Sequence, residues 1–145
     1  MNKILLIVFF SFFLTSLHAQ EWVTDYDEAI KMAVEKNRNI VLVFQGSDWC
    51  APCIKLEREI WTSEEFKAFA TNHFIMLKAD FPRKKVNLLD KTQQDKNNKL
   101  AEKYNKAGNF PFIVLLDANG KVLGETGYQK ITPKEYITLL TNFEK

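Results

Sequence analysis

The sequence predicts an α/β fold with a mixed central sheet and helices on both faces. Three observations carry that prediction. Helical and strand-like segments alternate along the chain. The run Asn39 to Gln45 is continuously apolar in its middle, as a strand buried on both faces must be. Near the C-terminus two apolar runs flank Asp117-Ala118-Asn119-Gly120, and Asn-Gly is the strongest short hairpin signal.

Each element has its own reason. In 24–37 (TDYDEAIKMAVEKN), Ala29, Ile30, Ala33 and Val34 recur at helical spacing, and Asp25 with Glu28 forms a capping pair. Strand 39–45 follows and is broken by Gly46 and Ser47. Segment 53–61 (CIKLEREIW) reads as a helix packing through Ile54, Leu56 and Ile60. Segment 62–72 is a second helix, or the same one after a kink, with capping-box spacing between Thr62 and Glu65. His73 opens the next strand. Residues 82–98 are polar and read as a long loop, with Arg83, Lys84 and Lys85 as solvated charges. Residues 98–108 read as a short helix stopping at Gly108. After the hairpin, Thr132, Pro133 and Glu135 supply the cap, first-turn proline and box of a final helix. The two strands joined by a helix are expected to be parallel and the hairpin strands antiparallel.

The chain of 145 residues is long enough for one domain with a real core. Its net charge of +2, without a basic run interleaved with aromatics, speaks against nucleic acid as a partner. Residues 1–19 are different in kind. Lys3 precedes an apolar run from Ile4 to Leu17, and Ala19 follows. This is the layout of a signal peptide with cleavage between Ala19 and Gln20, leaving 20–145 as the domain. The run is shorter than the ~20 residues of a membrane span, and an uncleaved anchor is the alternative. No cysteine follows it to take a lipid. Export to a periplasm or beyond puts the two cysteines where disulfides persist.

Those cysteines, Cys50 and Cys53, frame Ala51-Pro52. Zinc, structural disulfide and redox pair all use this spacing. A structural zinc site needs four ligands, and only His73 and His18 stand elsewhere, the latter inside the signal segment. A structural staple across so short a loop removes little chain entropy. The redox reading is favoured, because a strand-turn-helix puts sulfur at a helix N-terminus. There unpaired N–H groups and about half a positive charge favour thiolate. Such cysteines have pKa values lowered to roughly 3.5–7.5. Cys50 is the nucleophile on this reading, and Cys53, one turn on, the resolving thiol. Metal is not called for, and no cofactor beyond the dithiol itself.

The segment FQGSDWCAPC resembles the active-site segment of the thioredoxin family, and 109–128 (NFPFIVLLDANGKVLGETGY) is similar to the stretch that there begins with a cis-proline and enters the hairpin. The resemblance covers roughly residues 24–143 and is closest to exported thioredoxin-like proteins and to the C-terminal periplasmic domain of the membrane thiol:disulfide interchange protein. It implies a thioredoxin-like fold and a thiol:disulfide oxidoreductase. It implies Pro111 as the cis-proline facing the cysteines, with Phe110 before it, Gly127 matching the glycine after the second hairpin strand, and Trp49 beside the disulfide. A cis bond would turn the Phe110 backbone towards an extended substrate. Disulfide-containing clients are the implied partners, a membrane interchange protein the implied electron donor, and a monomer the expected state. The family's buried aspartate, six residues before the first cysteine, is Phe44 here. Glu57, four residues after Cys53, shares a helix face with both cysteines and is the candidate substitute. Asp48 is expected only to tune the thiolate, and Lys78 and Asp80 are given no chemistry. Ala51-Pro52 resembles the Gly-Pro of reducing thioredoxins, and histidine, which would stabilise the thiolate of an oxidant, is absent. A reductant is therefore expected. The rivals are an oxidase or isomerase of the same fold and a non-catalytic binding module.

Overall fold

The computed structural model describes residues 20–145, so the signal peptide expected at 1–19 lies outside the described residues. The elements run β1 (Trp22–Val23), α1 (Tyr26–Lys36), β2 (Asn39–Gln45), α2 (Ala51–Leu56), a π-helical turn (Glu57–Trp61), α3 (Glu64–His73), β3 (Phe74–Asp80), a 3-10 turn (Lys85–Asn87), α4 (Lys91–Tyr104), β4 (Phe112–Leu116), β5 (Val122–Thr126) and α5 (Pro133–Asn142). The sheet order is β1-β3-β2-β4-β5. β2 lies parallel to β3 and antiparallel to β4, and β4 and β5 form the hairpin. The sheet is mixed, as expected.

Strands β2, β3 and β4 are buried on both faces, which is why they read as continuous apolar runs, whereas β5 at the sheet edge is half exposed. Ile40, Leu42 and Phe44 face one cluster with Ala29 and Ala33 of α1 and Leu100 and Tyr104 of α4. Val41 and Val43 face the other, with Leu56, Phe66, Ala70, Tyr136 and Leu140 from α2, α3 and α5. Helices thus cover both faces.

The segment read as one loop from 82 to 98 is a loop only to Asp90. Helix α4 starts at Lys91, capped by the Asp90 side chain, which accepts from Gln93 N–H. Its first half buries a polar residue. Asn97 is 1% exposed and donates through Nδ2 to Asp80 O while accepting from Gln93 Nε2. A buried asparagine with both ends satisfied costs little, but it leaves no apolar stripe to read. The same helix ends at Tyr104, not at Gly108, whose φ of +69° lies in the turn beyond. Thr62 is not a cap either: Ser63 accepts from Phe66 N–H and starts α3, whereas Thr62 Oγ1 donates to Glu57 O and Arg58 O. Segment 62–72 is thus a second helix, set off by the extended Ser63, and the π turn Glu57–Trp61 is the continuation of α2. The extra residue of that turn lets consecutive Ile60 and Trp61 both be buried.

Candidate active site

The sheet brings distant parts of the chain to one edge. β2 ends at Gln45, its parallel neighbour β3 ends at Asp80, and antiparallel β4 begins at Phe112, paired with Phe44. The turn after β2, the loop after β3 and the approach to β4 therefore meet. Asp80 ties the first two. Its carboxylate accepts from Ser47 N–H at 2.9 Å and from Ser47 Oγ–H at 2.6 Å.

Cys50 is the N-cap residue of α2, in extended conformation, with Pro52 in the first turn. Its Sγ accepts from Cys53 N–H at 3.3 Å. Cys50 and Cys53 are joined as a disulfide with Cα atoms 5.2 Å apart, and both are buried. Both candidate cysteines thus stand where the spacing places them. Among the described residues no cluster of three or more histidine, cysteine, aspartate or glutamate side chains is placed to hold a metal.

Trp49 and Phe110 meet edge to face, centroids 5.4 Å apart, and Phe81 packs on Phe110 at 5.5 Å. The indole Nε1 donates to Phe81 O at 2.7 Å. The ring lies over Gly46, where a Cβ would come within 2.2 Å of it, so glycine is required there. The Phe110–Pro111 peptide is cis and Pro111 is buried. A Cβ at Gly127 would lie 3.4 Å from Pro111 O, so the strand end passes close to that turn.

Phe44 is fully buried and stacks on Phe112, in the cluster under α1 and α4. On the opposite face a cavity of about 540 Å³ opens beside the disulfide. Cys53, Ile54, Glu57, Arg58, Lys78 and Gln45 are among its lining residues. Cys53 and Glu57 share this space, as four-residue helical spacing predicts; Cys50 is not in its wall. Lys78 Nζ approaches Glu57 Oε2 at 3.8 Å and also lies 4.2 Å over the Trp22 ring. Glu57 Oε2 is buried without a hydrogen bond.

Sequence reasoning gave Lys78 and Asp80 no chemistry and Asp48 only a tuning role. Lys78 carried a signal: it is the one cation in the strand Phe74–Asp80. Asp48 does more than sit near a thiolate. Its carboxylate accepts from Arg83 N–H and Lys84 N–H, each at 2.9 Å, and from Asn87 Nδ2 at 3.0 Å. Those donors, Arg83 N–H first, hold its carboxyl below the usual range.

The thioredoxin-like family profile matches residues 21–118. The chain belongs to the thioredoxin-like family. Over 104 residues it is 41% identical to the disulfide bond reductase DsbH of Chlamydia pneumoniae, covering 72% of this chain and 61% of that one. Over 122 residues it is 29% identical to the thioredoxin-related protein DsbJ of the same organism, covering 79% of this chain and 34% of that one. The match thus spans less than two thirds of either relative. A solved structure titled DsbH oxidoreductase superposes with a TM-score of 0.79 at 36% identity, covering 86% of this chain and 84% of that chain. The thioredoxin-like fold accounts for the mixed sheet, at whose edge Trp49 meets Phe110. Phe44 stands at the position where the resemblance implies an aspartate.

Proposed function

We propose that this protein is an exported thiol:disulfide oxidoreductase that reduces protein disulfides. The observation that carries the reading is the sulfur of Cys50 at the N-cap of α2, bonded to Cys53 and accepting its N–H. The similarity to a protein named disulfide bond reductase supports the direction, as does Ala-Pro rather than a histidine between the cysteines.

In the reduced protein the Cys50 thiolate attacks one sulfur of a client disulfide. A mixed disulfide forms and the first client thiolate leaves. Cys53, deprotonated, attacks Cys50 Sγ, the second client thiolate leaves, and the Cys50–Cys53 disulfide closes. Two electrons pass to the client, whose thiolates take up protons. The dithiol carries both electrons, so no bound cofactor enters. An external dithiol must restore the pair, and a membrane interchange protein in the compartment outside the cytoplasm is the donor this reading calls for. Glu57, steadied by Lys78, takes the Cys53 proton in place of the missing aspartate. Trp49, Phe110 and Pro111 form the groove in which the client chain lies extended, pairing with the Phe110 backbone. The protein works as a monomer.

Insulin reduction with a dithiol donor tests the reading. The wild type turns over and Cys50→Ser does not. A Cys53→Ser variant accumulates clients and donor as mixed disulfides on Cys50. If insulin is not reduced and a Cys50→Ser/Cys53→Ser double variant still binds its partner, the fold serves as a binding module instead.

A further inference from the structure

We infer that the loop 82–90 is a client-selecting lip that favours apolar segments flanked by aspartate or glutamate beside the client disulfide. The inference rests on the reductase reading and names the clients that reading leaves open. It begins with attachment. Asp48, two residues before Cys50, holds the loop by the N–H groups of Arg83 and Lys84 and by the Asn87 side chain. The Arg83 guanidinium stacks 3.7 Å from the centroid of Trp49, the neighbour of Cys50. The lip is thereby fixed to the residues on either side of which a client must pass.

Its outer face has two properties. Val86 is 90% exposed and Leu88 58% exposed. Solvated apolar side chains of this size carry no fold-supporting packing, so they are available for a partner. Arg83, Lys84 and Lys85 supply three consecutive cations. Among the described residues none of them makes an ion pair. Two carboxylates stand against these cations: Asp48, which Lys84 also attracts, and Asp90 at the end of the loop, which caps α4. The net charge of the lip stays positive, and beside apolar side chains it complements an acidic, apolar chain and opposes a basic one.

Two otherwise identical disulfide peptides test this, one with glutamates and one with lysines flanking an apolar cystine segment, alongside the neutral bis(2-hydroxyethyl) disulfide. The wild type at low salt should show a KM roughly three- to tenfold lower for the glutamate peptide, a contrast that fades as salt screens it. Lys84→Glu/Lys85→Glu should reverse the preference, and Val86→Ser/Leu88→Ser should raise KM for both peptides. Each variant should reduce the neutral disulfide within about twofold of wild type, since that small substrate does not reach the lip. Equal KM values for the two peptides, or a preference that salt leaves untouched, overturn the inference from the wild type alone. If the wild type reduces neither peptide nor the neutral disulfide, the reductase reading falls and this inference with it.

Discussion

Glu57 extends into the cavity beside Cys53 with one carboxylate oxygen lacking any hydrogen bond. A buried acceptor without a donor is costly, and such sites persist where the group has a task. Lys78 at 3.8 Å offsets part of that cost, and the proposed mechanism gives this carboxylate the Cys53 proton. Glu57→Gln should therefore slow decay of the mixed disulfide by tenfold or more, general bases contributing about 10²–10⁴. The pH profile of that decay, followed by stopped flow, should move towards the ~8.5 of an unassisted thiol. An unchanged profile and rate would remove Glu57 from the mechanism. A second residue test concerns Gly46. In Gly46→Ala the new Cβ meets the Trp49 indole, which must give up its bond to Phe81 O. We expect a loss of about 1–3 kcal/mol in urea unfolding, typical of overpacking.

The helix ends show how local chemistry decides elements. Thr132 and Glu135 form a complete capping box on α5, and Asp90 caps α4. Thr132→Ala and Asp90→Ala should each cost about 1 kcal/mol by denaturant titration. Asp25, which caps α1, is held below the usual carboxylate range chiefly by the Lys96 ammonium and next by Glu28 N–H. Its folded pKa is depressed, so its contribution is complete above the unfolded value of about 3.9 and is lost as pH falls through the folded value. The melting temperature should thus lose this contribution only below about pH 4, and Asp25→Asn should flatten that part of the acid limb. Elements with strong signals were legible: β2 and β3 as apolar runs, the hairpin from Asn119-Gly120, α5 from its cap. The start of α4 was not, because its buried residue there is Asn97 and its apolar positions begin only at Leu100. The cap Asp90, with Gln93 three residues on, was the overlooked signal. β1 is two residues long and has no periodicity to read. The π turn leaves no local mark either, since only the tertiary demand to bury both Ile60 and Trp61 selects it.

At the scale of the molecule, strand order does the work of assembly. Residues far apart in sequence (Cys50, Phe81, Pro111) reach one edge because β2 and β3 end there and β4 starts there. The cysteines, Trp49 and the Phe110-Pro111 pair were legible through a resemblance that spans both halves of this edge. Lys78 and the Asp48 clamp were not, because their partners, Glu57 and the loop backbone, are defined only by the folded sheet. On the proposed reading this edge delivers electrons, and the reduction potential of the Cys50–Cys53 pair, from equilibration with glutathione or dithiothreitol buffers, decides whether it does. A reductant should stand near the ~ −270 mV of thioredoxin, whereas a value near about −120 mV, that of a strong oxidant, would overturn the reductase reading.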